Sequence, residues 1–248
     1  LEDSFHHIGY AFFMKHIADF HIHSKYSRAC SKQLDLEHIS AWSRIKGINV
    51  VSCADFTHPK WFAELTEKLK ETQEGLYELK KEYREQGDEI VREFSPILIS
   101  APQYFILATE ISCIYSKDKK VRRVHLIVCA PSLRVVKKIN TALSKIGNIT
   151  ADGRPILGID ARNLVEMILG ISRNCFFIPA HAWTPWFSVF GSFSGFNSLE
   201  ECFGDMTPYI CAIETGLSSD PTMNWKLSQL NGITMISNSD AHSLEKLG

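Results

Sequence analysis

The stretch Ile17-Ala18-Asp19-Phe20-His21-Ile22-His23 is apolar where it begins and closes on two histidines separated by one residue. It predicts a short strand over Ile17–Ile22. Side chains two apart on a strand leave the same face, so His21 and His23 can grip one cation together. Alone, the pair says little, because two surface histidines would read the same. Its weight depends on what recurs downstream.

Working outward, the pattern predicts a helix over Leu36–Lys46, with Leu36, Ile39 and Ile45 on one side and Gly47 as its stop. A second strand is expected at Ile48–Cys53. Residues Trp61–Glu93 are charged and helical in pattern, interrupted near Gly75 and Gly87, and read as a solvated helical excursion laced with Glu–Lys pairs. Tyr104–Ile114 and Val121–Val128 are strand candidates around a charged hairpin tip at Ser116–Lys120. Helices at Leu133–Ser144 and Ala161–Ser172 follow, with buried strands at Cys175–Pro179, Ile210–Ile213 and Ile233–Ser237. Strands alternating with helices predict a mainly parallel α/β architecture, and 248 residues suit one α/β barrel domain. No internal repeat or linker interrupts it.

Polar residues punctuate these strands in a consistent way. Asp55 and His58 follow the second strand, Glu110 and His125 lie in the two hairpin strands, and His181 follows the apolar run Phe176–Ala180. Asp240 and His242 close the series, again two apart. Most sit at or just past the C-terminal end of an expected strand, the rim on which the active sites of α/β barrels assemble. Any one of them could be a structural polar group; nine so distributed predict a metal site. Imidazole and carboxylate without thiolate suit Zn²⁺, Mn²⁺ or Fe²⁺, with Mg²⁺ as a further option. Nine ligands exceed the needs of one ion, so two or three divalent ions sharing bridging carboxylates are expected. Clustered ions activate a water, hold a phosphate oxygen and stabilise a departing oxygen, which points to phosphoester hydrolysis.

The bulk properties narrow the classes. A net charge of −1 gives no general attraction to nucleic acid, so any polyanion must be held by a local patch or by metal ions. Seven scattered cysteines with no CxxC pair argue against a zinc ribbon or a redox dithiol, and their odd number fits a reducing, cytoplasmic setting. No apolar run is long enough for a membrane span, and the first residues lack the basic segment of a signal peptide. Residues 1–13 are therefore read as a leader or added segment, with Met14 as the natural start and residues 14–248 as the domain.

In this order, the HxH pair, the Asp/His after the second strand, the lone Glu, two separate His and the final DxH resemble the PHP (polymerase and histidinol phosphatase) superfamily. That resemblance implies a distorted seven-stranded β/α barrel with a trinuclear metal centre. It implies one ion on His21, His23, Glu110 and Asp240, a second on Glu110, His125 and His181, and a third on His58 and His242 with Asp55. Asp240, His242 and Glu110 are the expected catalytic residues. Many members carry a further Asp or His just after the HxH; here Ser24-Lys25-Tyr26-Ser27-Arg28 stands instead, which leaves the third site poorer or differently completed.

Longer strings resemble the endonuclease Q family: His21–Arg28, Asp55–Trp61, Ile178–Phe187, Glu214–Pro221 and Ser237–Ser243. Members of that family nick DNA 5′ of deaminated bases such as uracil and hypoxanthine, and at abasic sites. The resemblance implies that function here, with damaged DNA as partner; a small-molecule phosphomonoesterase of the same superfamily is the alternative. A cysteine-ligated zinc module and a helical region follow the barrel in that family and have no counterpart here, so the chain is expected to be a fragment. A sliding-clamp partner that bound through those regions is not assessable from this sequence, and the oligomeric state stays open.

Two further features bear on DNA. Lys25 and Arg28, next to His23, could hold a phosphate by charge, although each could equally be a plain solvated charge. Trp183, Trp186, Phe187, Phe190, Phe193 and Phe196 crowd one stretch, with Gly191 and Gly195 among them. They read either as a loop with its own small core or as a platform for stacking bases, with Trp183 and Trp186 as the expected contacts.

Overall fold

In the computed structural model, which describes residues 16–248, the chain begins with β1 (Ala18–Asp19), α1 (Leu36–Lys46), β2 (Val50–Ser52) and α2 (Pro59–Lys68). It continues through the hairpin β3 (Leu69–Gln73) and β4 (Leu76–Leu79), α3 (Lys81–Phe94) and the long hairpin β5 (Tyr104–Lys117) and β6 (Lys120–Ala130). Then come α4 (Leu133–Leu143), β7 (Ile156–Leu157), α5 (Ala161–Ile171) and β8 (Phe176–Pro179). Last are α6 (Leu199–Phe203), β9 (Ala212–Glu214), α7 (Pro221–Asn224) and β10 (Thr234–Ile236). The expectations for residues 1–13 and Met14 lie outside the described residues.

Local chemistry fixes the elements. The Asp35 side chain accepts from the His38 amide to start α1, and Gly47, at φ 75°, ends it in the left-handed region. The excursion after Trp61 is only partly helical. A hairpin splits it, turning at Gly75 with φ 77°, because Leu69, Tyr77 and Leu79 bury themselves at strand spacing. That two-residue period is short and lies among Glu and Lys residues, which hides it in the sequence. Gly87 does not interrupt α3. It lets α3 approach α1, since a Cβ there would lie 2.9 Å from the Glu37 carbonyl oxygen. Beside that contact the fully buried Arg44 pairs with Asp88 at 2.5 Å.

The sheet is mixed rather than mainly parallel. β1 pairs with β2, β2 with β5 and β5 with β7 in parallel, but β5 and β6 form a long antiparallel ladder and β6 continues antiparallel to β8. The reason lies at the tip of that hairpin. Asp118 and Lys119 both have positive φ, 54° and 61°, the signature of a tight turn that returns the chain along its own strand. β9 and β10 form a separate parallel pair. Single contacts join it to the main sheet: the Ala182 amide donates to the Glu214 carbonyl, and Ile22 bridges Ala241.

The result is an α/β fold around a curled sheet. Its outer face packs Val124, Leu126 and Val128 against the helices, in the large core that also holds Leu36, Val136 and Leu164. Its inner face carries a small core of Ala108, Ile127, Cys129, Ile178 and Ala180. Strand alternation then dictates that Glu110, two residues after Ala108, and His125, two before Ile127, also face inward.

Candidate metal centre

Two strands, two strand ends and a loop bring the ligands together. His21 and His23 follow β1, Glu110 and His125 lie across the β5–β6 hairpin, His181 follows β8, and Asp240 and His242 follow β10. Asp55, His181 and Asp240 all hold positive φ, 36°, 29° and 51°. A residue after a strand would ordinarily point along it; the left-handed turn swings these side chains inward, at a backbone cost of the kind that collects at functional sites.

Glu110 is the hub, and it is buried. Its Oε1 lies 2.6 Å from His125 Nδ1 and 3.2 Å from His181 Nε2. Its Oε2 lies 3.4 Å from His23 Nε2 and 3.5 Å from His21 Nε2. Asp240 Oδ1 meets the same pair, 3.1 Å from His23 Nε2 and 3.4 Å from His21 Nε2. One carboxylate therefore offers each oxygen to a different pair of histidines, the arrangement of a bridging ligand. The ligand atoms fall into three groups, His21/His23/Glu110, His23/Asp240/His242 and Glu110/His125/His181, each within 4.8 Å of one another.

The residues fit divalent cations on a specific observation. His21 Nε2 is buried without a hydrogen-bond partner. A buried polar atom left so is costly unless it has a ligand to hold. The other ring nitrogen of His21 is fixed by Glu214, whose oxygens lie 3.0 and 3.1 Å from Nδ1. Such a carboxylate behind a ligating histidine sets the tautomer and raises its basicity.

The charges reinforce one another. Burial opposes charging of His21, yet the Glu214 and Glu110 carboxylates raise its pKa well above the usual 6.5. Burial likewise opposes charging of His23, but hydrogen bonds with Asp240 and Asp55 take its pKa to about 9. Glu110 is held well below the ordinary carboxylate range: burial works against this, and the positive charges of His125 and His21 overcome it. Burial keeps His125 below its usual value. Where cations do not bind, protons hold this cluster together, so metal and proton compete for the same nitrogens.

The nine expected ligands do not all converge. Asp55 stands behind His23, accepting from the Ser24 amide and hydroxyl at 2.7 Å each and the Ser27 hydroxyl at 2.8 Å, and meeting His23 Nδ1 at 3.2 Å. His58 stacks on Tyr26 at 4.4 Å and turns Nε2 to the Thr150 carbonyl, leaving Nδ1 without a partner. Among the described residues neither belongs to a three-ligand group. Lys25 is ion-paired with Glu64 at 2.9 Å, whereas the Arg28 side chain is 81% exposed. Trp183 is tied by its indole N–H to Asn224 and packs on Phe190; Trp186 is exposed.

Three contributors went unassigned in the sequence. Glu214 was visible only within a longer string. Its Oε2 also accepts the His181 amide at 2.6 Å, and its Oε1 accepts from Asn238 at 2.7 Å. Arg154 places Nη1 3.1 Å from Glu110 Oε2, at the edge of the cluster. Thr184 Oγ1 meets His181 Nδ1 at 3.0 Å. Arg154 follows no strand, so nothing in its position pointed to the rim.

A curled α/β sheet with this buried histidine–carboxylate cluster resembles the PHP type of protein. Within that type the chain is endonuclease Q-like. It superposes on the lesion-specific endonuclease Q of Pyrococcus furiosus with a TM-score of 0.73, at 29% identity over 93% of this chain and 50% of that one. It superposes equally, at 31% identity over 92% of this chain and 49% of the other, on endonuclease Q in complex with a 27-mer duplex carrying an abasic lesion at the active site. A protein of Bifidobacterium adolescentis described as a metal-dependent phosphoesterase shares the fold alone, with a TM-score of 0.55 at 14% identity, covering 92% and 88% of the two chains. In sequence the chain is 33% identical to the uncharacterized YqxK of Bacillus subtilis, over 93% of this chain and 56% of that protein. An uncharacterized protein of Methanocaldococcus jannaschii is 29% identical over 67% of this chain and 16% of its own length. No protein-family model matches. The chain thus spans about half the length of the endonuclease Q chains it matches. Among the described residues no helix is long and apolar enough to cross a membrane.

Proposed function

We propose that this chain carries the catalytic centre of a metal-dependent DNA repair endonuclease that hydrolyses the phosphodiester 5′ of a deaminated base, uracil or hypoxanthine, or at an abasic site. The observation that carries the reading is Glu110, one oxygen toward His125 and His181 and the other toward His21 and His23. Two or three divalent ions, Zn²⁺, Mn²⁺ or Fe²⁺ with Mg²⁺ as a further option, would supply water activation and charge stabilisation on the phosphate. The first would be held by His21, His23, Glu110 and Asp240, the second by Glu110, His125 and His181. His242 would complete a third with His23 and Asp240, a reading supported over one with His58 and Asp55 by the mutual proximity of their ligand atoms.

The chain's own residues then divide the work. Glu214 and Asp55 lock the rings of His21 and His23 from behind. Glu110 and Asp240 supply negative charge, so that bound cations are held against electrostatic repulsion. Arg154 lies within reach of the non-bridging oxygens of a phosphate bound beside Glu110. His242 turns Nδ1 to the Asp240 carbonyl at 2.7 Å, which leaves Nε2 as the nitrogen that would hold a cation. The strands ringing the cluster act as the distorted seven-stranded barrel of the PHP type.

The test is incubation of the protein with Mn²⁺ or Mg²⁺ and duplexes bearing a single uracil, hypoxanthine or abasic site beside an undamaged control. Lesion-dependent nicking 5′ of the lesion is expected. Turnover of phosphomonoesters without any nick would transfer the reading to the small-molecule phosphatase.

A further inference from the structure

Beyond the cluster, β6 leads outward from His125 to Arg123, two residues away on the same face of the sheet. The His125 ring packs on Phe187 with 4.8 Å between centroids. The Arg123 guanidinium lies 5.8 Å from the centre of Phe187 and 5.0 Å from that of Trp186. Trp186 in turn stacks on Phe193, 4.8 Å away and 15° from parallel.

The aromatic loop divides in two. Val189, Phe190 and Phe196 are buried and form its core. That core does not account for Trp186 and Phe193, which are 46% and 66% exposed. Two large rings are thus held open to water beside a cation that leads back to the metal cluster. The neighbouring hairpin tip supplies more charge: five of the seven residues 117–123 are Lys or Arg, in a chain of net charge −1. Lys117 and Arg122 turn toward the loop, donating to the Glu201 and Gly195 carbonyls and lying over Phe196. Lys119 and Lys120 stay exposed at the tip.

We infer that the strip from Arg123 through Trp186 and Phe193 to Lys119 and Lys120 binds the DNA strand beside the scissile phosphate, unstacked bases on the two rings and phosphates on the cations. The inference rests on the DNA-directed reading of the metal centre and names the surface that serves it. Exposed aromatic faces accept any base, because every base has a π face, and cations flanking them follow the backbone. Of the two cations expected near the site, Lys25 is paired with Glu64 and Arg28 lies 3.8 Å from Asp152, whereas the hairpin tip gathers five Lys and Arg within seven residues.

The test measures binding of a fluorescein-labelled duplex with one abasic site, by anisotropy over a range of salt. It compares the parent chain with Trp186→Ala/Phe193→Ala and with Lys119→Gln/Lys120→Gln. The aromatic pair should bind about tenfold more weakly with an unchanged salt slope. The lysine pair should lower the slope of log K against log salt by about 1.8, at about 0.9 for each phosphate no longer neutralised. Melting temperatures equal to that of the parent exclude unfolding, and the lysine pair, on an exposed turn, tests the surface without touching the loop core. Parent-like binding by both variants overturns the strip while leaving the DNA reading intact. A parent that binds no DNA overturns it too, and hydrolysis of bis(4-nitrophenyl) phosphate by that parent then shows whether the metal-centre reading survives.

Discussion

Glu214→Gln changes one buried atom and tests the geometry of the whole centre. The Glu214 oxygens accept from three sides: His21 Nδ1 at 3.0 Å, the His181 amide at 2.6 Å and Asn238 Nδ2 at 2.7 Å. A glutamine keeps the shape but presents an NH₂ where an oxygen stood. Whichever way the amide flips, a donor then faces a donor. One charge-assisted bond is lost and a buried N–H is left unpaired, together about 2–3 kcal/mol. In a domain of this size that lowers the melting temperature by roughly 4–12 °C. The His21 ring loses its anchor, and mutation of a carboxylate behind a metal-bound histidine costs about 10–100-fold in affinity. Calorimetric titration of the apoprotein with Mn²⁺ or Zn²⁺, alongside thermal melting, reads both effects. Parent-like metal affinity in a Glu214→Gln protein would refute the claim that Glu214 orients a ligand.

Further outcomes are expected. Asp240→Asn removes a carboxylate charge from the rim, not from core packing, so the protein should stay folded while hydrolysis of bis(4-nitrophenyl) phosphate falls more than about a hundredfold; retained turnover would contradict the ligand assignment. Gly153→Ala places a Cβ 2.3 Å from Asp55 Oδ2 and 2.4 Å from Ser27 Oγ. It should destabilise by about 1–3 kcal/mol, seen as a lower denaturation midpoint. His23 keeps its proton up to about pH 9, and a cation must displace that proton. Apparent metal affinity should therefore rise with pH between 7 and 9, by up to about tenfold per unit for each proton released. Affinity that is flat over that range would show that binding displaces no such proton, and that His23 is not held protonated there.

The sequence by itself determined the α/β class, the bounds of α1, α4 and α5 to within about a residue, and most of the histidines and carboxylates that cluster. α1 spans the predicted Leu36–Lys46 because both signals that bound it, Asp35 and Gly47, are local. His21 and His23 were legible because strand alternation is a property of two adjacent residues, and strings such as Ser237–Ser243 carried the endonuclease Q resemblance without reference to any contact.

What depended on distant partners was decided only in three dimensions. The antiparallel β5–β6–β8 pairing overrode the expectation of a mainly parallel sheet, since strand direction follows from which edges meet and not from alternation with helices. The hairpin at Gly75 emerged because Tyr77 and Leu79 found a buried face that their charged neighbours masked. Asp55 and His58 carry the right chemistry at the right strand end, yet backbone turns aim one at Ser24, Ser27 and His23 and the other at Thr150. Glu214 and Arg154 reach the cluster across separations of 193 and 44 residues, to His21 and Glu110. The sequence could name the donors because ligand chemistry belongs to single side chains. Which atoms share one cation depends on tertiary distances of 2.6–3.5 Å, and only the curled sheet sets those.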